Sequence, residues 1–115
     1  MADCIFCKIG SGEIHAKIVK RNAEMVAFHD LTPQAPTHVL VIPTKHYDAV
    51  RDVTGPEGEA LLGRMLAFTA QVASDIGLDA AGYRIVTNSG ADGGQSVFHL
   101  HLHLLGGRRM GWPPG

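Results

Sequence analysis

Val97-Phe98-His99-Leu100-His101-Leu102-His103-Leu104-Leu105 alternates histidine with large apolar residues for three cycles. A period of two belongs to a β-strand, whose successive side chains point to opposite faces. The stretch therefore predicts a strand with His99, His101 and His103 in a row on one face. Phe98, Leu100, Leu102 and Leu104 are expected to be buried on the other. Same-face side chains repeat every ~6.6 Å, so three imidazoles can line one small charged substrate. A neutral imidazole with a pKa near ~6.5 can be nucleophile, base or metal ligand at neutral pH, and the strand alone leaves all three open.

Immediately upstream, Ser89-Gly90-Ala91-Asp92-Gly93-Gly94-Gln95-Ser96 is a glycine-rich loop. Glycines let backbone N–H groups approach a phosphate, and Asn88, Gln95 and Ser96 add side-chain donors. The same loop would also serve as a plain surface turn; beside three imidazoles, phosphate binding is the stronger reading. With no acidic cluster to hold magnesium, an imidazole can attack phosphorus directly and carry a covalent phosphoryl or nucleotidyl group.

The rest of the chain supplies a scaffold. Cys4 to Gly12 suits one or two helical turns stopped by glycine. Ala16–Lys20, Met25–His29, His38–Pro43 and Tyr83–Asn88 are strand candidates, with a proline-bearing loop from Asp30 to Pro36 and a polar exit at Thr44–Asp48. Gly55 to Gly77 carries one long helix, whose Leu61, Met65, Phe68, Val72 and Ile76 form an apolar stripe that packing explains in full. Strands in close succession with one inserted helix predict a single α+β domain over residues 1–115, its antiparallel sheet of about five strands covered by the helix.

The 115 residues and 45% hydrophobic content suit one modest core. A formal net charge of −1 gives no footprint for nucleic acid, and no apolar run is long enough to span a membrane. The start of the chain lacks the pattern of a signal peptide, so a cytoplasmic protein is expected. Its two cysteines, Cys4 and Cys7, read as a redox pair, half of a zinc site, or two buried thiols. A redox pair normally follows a strand, and none precedes these.

His99-Leu100-His101-Leu102-His103-Leu104-Leu105 resembles the defining motif of the histidine-triad (HIT) superfamily of nucleotide hydrolases and transferases. Cys4-Ile5-Phe6-Cys7-Lys8-Ile9, Phe28-His29-Asp30, Pro33-Gln34-Ala35-Pro36-Thr37-His38, Asp92-Gly93-Gly94-Gln95-Ser96 and Trp112-Pro113-Pro114-Gly115 resemble its Hint branch. The resemblance implies a homodimer with one continuous sheet and hydrolysis of purine nucleoside phosphoramidates to the nucleoside monophosphate. It makes His101 the nucleophile that forms a nucleotidyl-imidazole, gives His103 the phosphate, and has His99 and His38 orient and tune His101. Asn88 and Ser96 match phosphate and leaving-group contacts, and Asp30 matches the residue that binds the ribose hydroxyls. Ile5, Phe6, Ile9, Phe28, His29 and Leu31 match the walls of a purine slot, and Gln95 and Trp112 are expected among the substrate contacts. No cofactor is needed for this chemistry. A structural zinc is implied on Cys4, Cys7, His38 and His99, a set suited to closed tetrahedral coordination. The alternatives are a dinucleoside polyphosphate hydrolase or nucleotidyl transferase of the same superfamily, and a nucleotide-binding regulatory module.

Overall fold

The computed structural model describes residues 3–115. Five strands, β1 (Ile18–Arg21), β2 (Met25–His29), β3 (Thr37–Pro43), β4 (Tyr83–Val86) and β5 (Leu102–Gly106), form one antiparallel sheet. Their order in it is β1-β2-β3-β5-β4. A short helix α1 (Ile5–Ser11) precedes them, and the long helix α2 (Gly55–Asp75) lies between β3 and β4. The α+β expectation and the strand count hold.

Alternation along the strands separates two apolar layers. Met25, Ala27, Val39, Val41, Leu102 and Leu104 pack with Leu61, Met65, Phe68 and Val72 of α2. Val26, Phe28, Leu40 and Ile42 point the opposite way and meet Phe6 and Ile9 of α1. The site therefore forms on the α1 side of the sheet, while α2 only supports it. Gly12 stops α1 at φ 85°, a left-handed position that suits glycine. The apolar stripe of α2 ends at Val72; Ile76 falls past the helix and is 36% exposed.

The histidine row departs from its expected form. Only Leu102–Gly106 is strand, so His103 alone of the three triad histidines lies within it. Residues 97–99 bend, and the Leu100 N–H donates to the Tyr47 carbonyl at 2.7 Å rather than to a ladder partner. Burial alternates only from Leu102 onward, with His99, Leu100 and His101 all buried, and Phe98 is 55% exposed instead of buried. Long-range contacts of His99 hold this bend, and period-two patterning carries no trace of them.

Candidate active site

Register explains the pairing of His38 with His103. β3 and β5 run antiparallel with Leu40 opposite His103 and His38 opposite Leu105. His38 is thus the diagonal neighbour of His103 on the same face, within reach of a long side chain. His38 Nε2 lies 2.9 Å from His103 Nδ1.

The hydrogen bonds also fix where the protons sit. The Gln34 backbone N–H donates to His38 Nδ1 at 3.0 Å, so the neutral His38 ring keeps its proton on Nε2 and donates it to His103 Nδ1. His103 must then carry its own proton on Nε2, as a donor toward the cavity it lines. His101 Nδ1 donates to the backbone carbonyl of His99 at 2.7 Å, which leaves a lone pair on its Nε2. A carbonyl that fixes the tautomer in this way prepares an imidazole to attack.

Burial keeps these rings neutral. Desolvation lowers the pKa of His38, His99 and His101, with the carbonyl bonds to His99 and His101 opposing it. His103 is pushed down to about 4, first by burial and then by His101 and His38 beside it. A base whose folded pKa is depressed favours the unfolded state on protonation. Its contribution is therefore intact above the unfolded value of ~6.5 and is lost as pH falls from there toward about 4. Denaturant midpoints measured across that window should fall with acid, and His103→Asn should flatten the fall.

A cavity of about 320 Å³ opens in front of these rings. Ile5, Phe6, Ile9, Phe28, His29, Asp30, Leu31, Ser96, His101 and His103 line it, so most of the expected residues come together. Phe6 stands edge-on to Phe28 and to His101, with ring centroids 5.6 and 5.1 Å apart, and closes the apolar end. Asp30 forms a turn by accepting from the Thr32 N–H at 2.8 Å, and its other oxygen lies 3.5 Å from His38 Nε2. Each carboxylate oxygen has two lone pairs, so acceptor capacity remains for a ligand. Its turn-forming and ligand-facing roles are compatible.

Three expected contacts fall outside this cavity. Asn88 follows β4 and does not line it. Trp112 is 83% exposed, its tail tied to β4 through the Arg84 guanidinium on the Gly111 carbonyl. Gln95 is 7% exposed, and its amide is committed to backbone groups. A contact absent from the sequence reading is Thr87, whose hydroxyl donates to the His101 carbonyl at 2.9 Å and holds the backbone of His101.

Behind the triad, Cys4, Cys7, His46 and His99 bring one ligand atom each within 4.8 Å of one another. His46 replaces the expected His38, because the diagonal pairing commits His38 to His103 and Asp30. His99 donates its Nε2–H to the Pro43 carbonyl at 2.9 Å, and His46 donates its Nε2–H to Asp48 at 2.7 Å. The two rings therefore turn their Nδ1 atoms toward each other, 3.2 Å apart. The thiol sulfurs stand 3.3 to 3.5 Å from these nitrogens. Tetrahedral zinc with bonds of about 2.0–2.3 Å spaces its donors about 3.3–3.8 Å apart, so the four residues fit the ion. Burial raises the Cys7 thiol pKa and Cys4 beside it adds to the rise; a cation would reverse this. The signal in the sequence was His46-x-Asp48, a histidine with the carboxylate that orients it.

The HIT domain family profile matches residues 11–110. A HIT-like protein of Synechocystis is 50% identical over 113 residues, covering 98% of this chain and 97% of its own. A protein named purine nucleoside phosphoramidase, from Escherichia coli K12, is 45% identical over 109 residues, 95% of this chain and 91% of its own. The crystal structure of a HIT family hydrolase from Legionella pneumophila superposes with a TM-score of 0.94 at 48% identity, covering 98% of this chain and all of its own (100%).

Proposed function

Since the chain belongs to the HIT domain family, we propose that it hydrolyses purine nucleoside phosphoramidates to the nucleoside monophosphate. The observation that carries this reading is the bare Nε2 of His101 at the cavity wall, its proton held on Nδ1 by the His99 carbonyl. The Nε2 lone pair forms a bond to phosphorus while the P–N bond breaks toward the amine. The amine takes up a proton through the Ser96 hydroxyl and leaves. Water then attacks phosphorus, the N–P bond to His101 breaks with its electron pair returning to Nε2, and the proton that water gives up returns to the Ser96 hydroxyl. His103 donates its Nε2–H to a phosphate oxygen throughout, and the His99 carbonyl offsets the charge that grows on His101. The purine lies against Phe6, Phe28, Ile5 and Ile9, with His29 and Leu31 at the rim. The relative named as a phosphoramidase supports the choice of P–N bonds. Turnover of adenosine phosphoramidate, adenylyl-lysine and diadenosine polyphosphates side by side tests it. Preference for the polyphosphates would replace it with the dinucleotide hydrolase reading.

Asp30 is assigned the ribose hydroxyls. Asp30→Asn keeps its size but weakens a charge-assisted pair of hydrogen bonds, so nucleotide affinity should fall by ~1–3 kcal/mol. Calorimetry with a 2′,3′-dideoxy nucleotide should show little further loss in the variant. Equal binding of deoxy and ribo forms by the wild type would remove the assignment.

Zinc on Cys4, Cys7, His46 and His99 is proposed as structural, holding α1 and the residue behind the nucleophile in place. We also propose a homodimer in which the sheet continues through an open edge strand; light scattering reporting the monomer mass would reject it. Among the described residues no helix is long and apolar enough to cross a membrane, which fits the cytoplasmic site proposed for the protein.

A further inference from the structure

Ser96 sits where two openings meet. It lines the nucleoside cavity and also a wider cleft formed with Asp3, Ile5, Asp48 and Phe98. A hydroxyl there stands between the phosphate position and the side toward which the amine departs, yet Ser96 is exposed on a loop rich in glycine. Something must hold it to a fraction of an ångström for its hydroxyl to serve the leaving nitrogen.

The adjacent residue supplies the restraint. The Gln95 side chain is buried, and every polar atom of its amide is used. Its oxygen accepts from the Gly90 N–H at 2.9 Å. Its nitrogen donates to the Val97 carbonyl at 3.1 Å and to the Asp48 carbonyl. The first bond closes the loop on itself ahead of Ser96, and the second spans Ser96, since Gln95 and Val97 flank it. The third fastens the loop to a segment that is itself fixed, because the Asp48 carboxylate holds the His46 ring at 2.7 Å. The Gln95 N–H also donates to the Gly90 carbonyl at 3.1 Å, so both main chain and side chain of Gln95 close the loop. The coil is wound too tightly to adjust: a Cβ at Gly93 would stand 2.7 Å from the Ser89 carbonyl oxygen.

We propose that Gln95 is a positioning residue for the leaving-group step, acting through Ser96 and making no contact with substrate. The inference rests on the phosphoramidate reading of the site and goes beyond it. It separates departure of the amine, which depends on Ser96, from binding of the nucleotide, which depends on Asp30, His103 and the apolar slot.

A double-mutant cycle with an alkylamine phosphoramidate tests this. Gln95→Met removes all three side-chain bonds. Gln95→Glu keeps the volume and the Gly90 contact but faces two carbonyls with no proton, and serves if the first variant does not fold. Either should lower kcat by about 10- to 100-fold, the cost of a small misplacement, with binding of the nucleoside monophosphate unchanged within about twofold. In a Ser96→Ala background the same change should cost less than about threefold, because residues acting through one another are not additive. In wild-type protein, the Gln95 side-chain amide protons should exchange slowly and keep their NMR shifts when the monophosphate binds. Equal losses in both backgrounds, monophosphate binding that weakens in step with kcat, or a large ligand-induced shift at the Gln95 amide would overturn the proposal. Full turnover by Ser96→Ala would remove the role of Ser96 and this inference with it. No phosphoramidate turnover by the wild type would instead overturn the reading of the site itself.

Discussion

His101→Ala is expected to remove nearly all turnover while leaving nucleotide binding measurable. The loss should be on the order of 10⁴-fold, about 5 kcal/mol of barrier, because the variant has no covalent route to replace. Binding survives because the slot is built elsewhere: the Phe6 and Phe28 rings pack against each other, and Asp30 is held by its own turn. Removing the imidazole also frees one edge of Phe6, whose ring stands 5.1 Å from it, so some loosening of the base is expected. Mass spectrometry of the quenched wild-type enzyme should find a nucleotidyl group on His101. The hydrogen bonds single out this residue. His103 has its Nδ1 filled by His38 and presents an N–H, and His99 presents nothing to the cavity, its Nε2 spent on the Pro43 carbonyl. An adduct on His99 or His103 would contradict that ordering and with it the tautomers derived for all three rings.

How much of this was legible beforehand depends on the range of the forces involved. β2, β3 and α2 are written in local periodicity, and their boundaries fall within a residue or two of where the pattern puts them. The residues that line the cavity were legible through resemblance, because several lie in short contiguous segments such as Phe28-His29-Asp30. The bend at residues 97–99 was not. It arises because the His99 ring is drawn to Cys4, Cys7, His46 and the Pro43 carbonyl, partners that lie 53 to 95 positions away along the chain. That same pull exposes Phe98 and delays the start of β5 to Leu102. Gln95 was hard to place for a related reason. A donor-rich side chain in a glycine loop looks like a ligand contact, whereas here the carbonyls of Asp48 and Val97 take up its donors. The exchange of His38 for His46 follows from strand register, which fixes the diagonal partner of His103 and cannot be counted along the sequence.

Withdrawing metal should destabilise the fold more than any single side-chain change outside the core. Cys4 precedes α1 and accepts from the Cys7 N–H at its start, so the cluster ties that helix to the loop after β3 and to the backbone behind His101. Metal binding of this kind enters directly into folding free energy. Even a net ~3 kcal/mol would move the melting temperature by roughly 10 °C in a domain of this size. A strong chelator should therefore lower melting by about that much, and Cys4→Ser combined with Cys7→Ser should reproduce the shift without chelator. The choice of histidine gives the sharper comparison. His46→Ala should lose zinc, and Asp48→Asn should weaken it, since the carboxylate orients the ring at 2.7 Å. His38→Ala should keep a full equivalent of zinc despite losing activity, because His38 belongs to the Asp30–His103 group. Turnover of the stripped enzyme should fall less than that of His101→Ala, as no proposed step uses metal-bound water. Metal analysis of protein purified without chelator decides the premise. Well under one zinc per chain, with both thiols reduced and melting unmoved by chelator, would leave Cys4 and Cys7 as packing residues and the facing nitrogens of His46 and His99 to share a proton instead.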